Sequence, residues 1–221
     1  MPQTSGTYGC DTSDMHIPHD LLRKAMKSPE AVLGRVPRGD VEREQEVALY
    51  YSTVLTFLHA HHRSEDELLW PRLRDRAPQH VELYERMEAE HLGISTACDA
   101  AQTAATAYAA GPGEATTAEL ASAITALRHE VEQHLSEEER EILPIAAVTM
   151  TQQEWGELPA HAMAQLPPEH LWLVLGLVLD HATATERQMI GGMLPDPVRA
   201  VWESEGRQKY ETFMASVRGV D

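Results

Sequence analysis

One segment of this chain occurs twice, and the repetition constrains the fold more than any other feature. His61-His62-Arg63-Ser64-Glu65-Asp66-Glu67-Leu68-Leu69-Trp70-Pro71 returns as His134-Leu135-Ser136-Glu137-Glu138-Glu139-Arg140-Glu141-Ile142-Leu143-Pro144. The offsets 134−61, 138−65 and 144−71 all equal 73. A histidine and a glutamate four residues apart lie on one helix face, so each copy aims an imidazole and a carboxylate at one point. Two such helices packed face to face bring four ligand-type groups together.

The surrounding pattern is helical. From about 41 to 70, the seam Val47, Tyr51, Val54, Leu58, His61, Glu65, Leu68 advances in steps of four and three, as in a helix bundle. From about 79 to 110 the seam is Tyr84, Met87, His91, Ile94, Cys98, Ala101, Ala105, Tyr108, ending at Gly111-Pro112-Gly113. From about 117 to 143 it is Leu120, Ile124, Leu127, Val131, His134, Glu138. A shorter helix from about 18 to 28 carries His19, Leu22 and Met26 inward, with a loop at 28–40 and Asp40 as N-cap of the next helix. Pro71 and Pro144 read as stops. The expectation is an all-α protein: an antiparallel up-down four-helix bundle in residues 1–150, with a helical extension, 151–221, packed on it. Prolines and glycines divide that extension into candidate helices at about 151–165, 169–190 and 197–217.

The strict seam puts His61 and Glu65 inside and rotates His62 and Asp66 away. Glu137 and Glu139 likewise read as solvated. His91 − His19 is 72, close to the 73 of the repeat, so each half supplies one lone histidine and one His-x3-Glu pair. His19, His61, Glu65, His91, His134 and Glu138 then converge in the bundle centre. Carboxylates in an apolar seam are costly unless paired or metal-bound. Mixed imidazole and carboxylate donors, with carboxylates free to bridge, suit two iron ions, or manganese. Thiolates are not among them, as a structural zinc site would favour. His129 and His134 are five apart, whereas a zincin helix needs four. His59, His62, His129 and His161 read as surface residues, His16 precedes Pro18 outside the site, and His181 lacks a partner at metal spacing.

Composition narrows the rest. With 18 basic and 35 acidic residues the net charge is −17, which disfavours a nucleic-acid partner. The two cysteines, Cys10 and Cys98, make no disulfide framework. Met1 to Asp14 is polar, unlike a signal peptide, and the apolar run Leu171 to Leu179 is too short for a membrane span. The expected setting is the cytoplasm, with no membrane partner.

His19-Asp20, His61…Glu65 with Leu68-Leu69-Trp70-Pro71, Glu90-His91, and His134…Glu138 with Ile142-Leu143-Pro144 together resemble the hemerythrin-like family, the HHE cation-binding domain, over roughly residues 16 to 146. The resemblance implies a non-haem di-iron centre that handles O2, H2O2 or NO. It makes His19, His61, His91 and His134 terminal ligands and Glu65 and Glu138 bridges. Oxygen carriers of that family have a second histidine one turn along the third helix; here Met87 and Ser95 occupy those places. One iron is then expected to lack a nitrogen donor unless water, Tyr51, Tyr84 or Glu130 substitutes, with Met87 filling the space. That favours reaction with peroxide or a substrate over reversible O2 carriage. Alternatives are an oxidase or oxygenase whose small organic substrate sits between bundle and extension, and a helical module with a structural metal.

Overall fold

The computed structural model describes residues 7–220; the first six residues of the polar N-terminal stretch lie outside the described residues. Helix α1 is His16–Ala25 and α2 a single turn, Pro29–Leu33. Helix α3, Val41–Ser64, starts at Asp40, whose carboxylate accepts from the Arg43 N–H, as an N-cap should. A π-helical turn, Glu65–Leu69, joins α3 to α4, Trp70–Arg76. Helix α5 is Val81–Ala110, and α6, Glu114–Glu137, passes through a second π turn, Glu138–Ile142, into α7, Leu143–Thr149. Short links at 77–80 and 111–113 reverse the chain, giving the antiparallel bundle.

The two prolines do not stop their helices. Proline has no N–H, and its ring crowds the carbonyl four residues back. Widening the preceding turn by one residue relieves the clash. The Trp70 N–H reaches the carbonyl of Glu65, and the Leu143 N–H that of Glu138. Both helices therefore run on past Pro71 and Pro144, and each π turn begins at a glutamate of the repeat. Such one-turn bulges concentrate at functional positions.

The remaining helices are α8, Gln152–Ala164; α9, Leu171–His181; α10, Ala184–Met193; and α11, Asp196–Val201, which runs through a π turn at Trp202–Gly206 into α12, Arg207–Arg218. The stretch read as one helix over 169–190 is two, because Thr183 and Glu186 form a capping box that starts α10. Leu173, Val174, Leu177, Phe213 and Met214 join the same apolar core as Leu22, Val54, Leu58 and Ile124. Helix α3 is consequently enclosed by α1, α5, α8, α9 and α12, and its buried stripe is wide. Tyr50 and Tyr51, Val54 and Leu55, Phe57 and Leu58 are buried as adjacent pairs.

A second apolar cluster, Leu69, Trp70, Leu73, Tyr84, Met87, Ile142 and Trp155, fills the other end of the bundle. Along α3, α5 and α6 the polar residues of the repeat lie between these two clusters. They form a polar layer with apolar packing on both sides.

Candidate metal centre

Seven side chains meet in that layer: His19 from α1, His61 and His62 from α3, Glu65 and Glu138 opening the two π turns, His91 from α5 and His134 from α6. Each is at most 6 % exposed. Their donor atoms fall into two sets, His62, Glu65, His91, His134 and His19, His61, Glu65, Glu138. Within each set the atoms all lie within 4.8 Å of one another. Glu65 belongs to both.

The expectation that His62 faces away is overturned. Successive helical residues are about 100° apart, so His61 and His62 straddle the direction of Glu65, which lies between them in projection. A four-helix bundle with α3 at a corner would leave His62 in water. Here α5 covers it, and its ring stacks on His91 with centroids 4.1 Å apart. His62 thus offers a further nitrogen donor to this layer.

Three of the five histidines are held from behind. His19 Nδ1 is 2.7 Å from Glu139, His91 Nδ1 is 2.6 Å from Asp66, and His134 Nδ1 is 2.9 Å from Glu90. A carboxylate fixes the proton on Nδ1, so Nε2 presents a lone pair to the centre. His91 Nε2 and His134 Nε2 then face each other at 3.0 Å. Two lone pairs at that distance repel unless a cation lies between them. The spacing is close to that of two nitrogens bound at right angles to one ion at about 2.1 Å. Asp66 and Glu139, expected to be solvated, thus orient ligands. Both directly follow a repeat glutamate (66 + 73 = 139), a signal already present in the sequence.

The electrostatics show the same unmet demand. Burial, then the Glu138 and Asp66 charges, push Glu65 well above the carboxylate range. Burial would also raise Glu138, but His19 foremost holds it down at about 2. Burial would depress His19, yet Glu138 and Glu139 lift it to about 9. Burial, then the His19 charge, drops His61 to about 3, and burial with the neighbouring His91 and His134 pushes His62 well down. His19 Nε2 approaches Glu138 to 3.3 Å and His61 Nε2 approaches Glu65 to 3.4 Å. Neither contact has hydrogen-bond geometry: His19, His61 and His62 Nε2 and all four oxygens of Glu65 and Glu138 lack hydrogen-bond partners. Seven orphaned buried atoms in one layer would be prohibitive without a ligand; bound metal would satisfy them.

A family model for the Hemerythrin HHE cation binding domain matches residues 11–146. The chain belongs to this family. No curated protein and no solved structure matches it. As a hemerythrin-family protein it has a helical bundle and a buried His/Glu cluster fit to bind metal. The four other residues considered near the centre have surroundings of their own. The Tyr84 hydroxyl donates to the Ala77 carbonyl, Met87 packs in the second apolar cluster, Tyr51 lies in the first, and Glu130 is exposed. Among the remaining histidines, His16 contacts Ser13 and Glu186, His59 faces Asp99 and His161 pairs with Glu67.

The surroundings of this hemerythrin-family centre are lopsided. In one set His19 and Glu138 are both at 0 % exposure. On the other side a cleft of about 410 Å³ lies between α3, α5 and the end of α8. It is lined by Thr56, His59, Ala60, His62, Arg63, Asp66, His91, Ser95 and Gln165. Among the described residues, no single helix is long and apolar enough to cross a membrane.

Proposed function

We propose that the protein holds two iron ions and binds or turns over O2, H2O2 or NO at the ion nearer the cleft. Convergence of two donor sets on the shared Glu65 is the observation that carries this reading. His62, His91, His134 and Glu65 would hold one ion; His19, His61, Glu138 and Glu65 the other. Iron bound in this way supplies electrons for reducing small oxidants and open positions where they can bind. Four protein donors per ion suit a reactive centre better than a closed structural site. The chain's own contribution is to hold five imidazoles and two carboxylates in place through Asp66, Glu90 and Glu139, and to exclude bulk water with apolar clusters on both sides. Manganese suits the same donors. Two free cysteines and the acidic composition fit a cytoplasmic setting.

Metal analysis of purified protein, with optical spectra before and after peroxide, tests the reading. About two irons per chain and a spectral change with peroxide are expected; a metal-free protein that refuses iron, or one bound ion inert to peroxide, overturns it. One observation favours a second reading, oxidation of a small organic substrate. The cleft is much larger than a peroxide molecule, and Gln165 of the extension contributes to it.

A further inference from the structure

We infer that Trp70 is a redox-active residue, donating one electron to the centre during reaction with hydrogen peroxide. The inference rests on the di-iron, peroxide-reactive reading above. Trp70 is fully buried, and its indole Nε1–H donates to Asp66 Oδ1 at 2.9 Å. That same oxygen holds His91 Nδ1 at 2.6 Å. The indole and imidazole centroids are 5.6 Å apart. One carboxylate atom thus links the indole to a candidate ligand of the ion beside the cleft.

The repeat provides an internal comparison. Glu139, the counterpart of Asp66, holds His19 in the same way, but its second partner is the Arg23 guanidinium, at 2.6 and 3.1 Å. The counterpart of Trp70 (70 + 73) is Leu143. Orienting a lone histidine therefore requires no indole; a cation does it in the second copy. Only the copy that faces the cleft carries an oxidisable ring.

Reduction of hydrogen peroxide to two waters consumes two electrons and two protons. The protons would come from solvent. A centre holding two ferrous ions would supply both electrons itself; one holding a ferrous and a ferric ion would supply one, and Trp70 the other. The indole keeps its N–H and becomes a cation radical, whose charge lies against the Asp66 carboxylate. Tyr84 is next, with ring centroids 6.5 Å away. Its hydroxyl donates to the Ala77 carbonyl, which is no base for the proton that an oxidised phenol must shed. The hole stays on the tryptophan. Without this donor the second oxidising equivalent falls on the ligand imidazoles.

Freeze-quench electron paramagnetic resonance of the protein loaded with one ferrous and one ferric ion, mixed with one equivalent of peroxide, tests this. Expected is an organic radical whose hyperfine pattern narrows with ring-deuterated tryptophan and not with ring-deuterated tyrosine. It should vanish in Trp70→Phe, with iron content unchanged, and persist in Trp155→Phe. Should Trp70→Phe fail to fold or to hold iron, wild type with labelled tryptophan and Trp155→Phe decide the matter. A tyrosyl signal, a signal surviving in Trp70→Phe, or peroxide consumed with iron bound and no radical overturns the inference and leaves the di-iron reading standing. Failure of the wild type to bind iron or react with peroxide overturns both.

Discussion

His61 and His62 are chain neighbours assigned to different ions, and this adjacency sets the sharpest test at the residue scale. His61→Ala and His62→Ala should each retain about one ion per chain, whereas Glu65→Ala should retain neither, because its carboxylate belongs to both donor sets. Inductively coupled plasma analysis of the three variants checks this; two ions in His62→Ala would return that residue to a packing role. Asp66→Ala and Glu139→Ala should fold normally and bind iron about 10- to 100-fold more weakly, since such variants lose only the group that orients a ligand. Competition with a coloured chelator measures it. The convergence of His19, His61, Glu65, His91, His134 and Glu138 was legible in the sequence: a repeat and a seam both marked His61, Glu65, His134 and Glu138, while His19 and His91 rested on the inner faces of their helices and a near-matching offset. His62 was not, because a two-position seam describes a narrow contact, whereas a helix enclosed on several sides buries a stripe at least about 100° wide.

At the scale of elements, the helices were legible from their periodicity, and their ends only where a cap announced them. A proline reads as a stop. That Pro71 and Pro144 instead sit behind π turns depends on packing that pays for a strained ladder, which no local pattern reveals. The start of α8 was better marked. Thr151 and Glu154 form a capping box, and Glu154 also binds Arg76 of α4 through both oxygens, at 2.6 and 2.8 Å. The Arg76 guanidinium foremost holds Glu154 at about 2, below its ordinary 4.5. A depressed carboxylate adds stability that is fully present above its unfolded value and is lost as pH falls through the folded one. The contact should therefore act in full above about pH 4.5 and fade toward pH 2. Glu154→Gln keeps the cap and loses the ion pair, at a cost of about 1 kcal/mol at neutral pH. Thermal melts of both proteins should differ at pH 7 and draw together as the pH falls toward 2; a constant gap would show that charge is not the cause.

For the whole molecule, the centre is a buried polar layer that bound ions would satisfy. Metal bound at about 100 times its dissociation constant adds about 2.7 kcal/mol, and a chain of this size gains about 2–4 °C for each kcal/mol. Iron should raise the melting temperature by roughly 5–10 °C, and a chelator should reverse it. An unchanged melting curve at full occupancy would mean that the apo layer is satisfied in some other way. The role of the last seventy residues was only faintly legible. Their apolar stripes announced packing, but nothing local said that they would enclose α3 and border the cleft.

Two of the three supports of the centre also cross between the two halves of the bundle. Glu139 of the second holds His19 of the first, and Asp66 of the first holds His91 of the second. Each donor set likewise draws on both copies. Neither hairpin alone completes a donor set, so bound metal would act as a rivet through two plates. A backbone nick in the link at 77–80 should be tolerated better by the loaded protein than by the stripped one, and iron should leave the intact protein no faster than its two hairpins breathe.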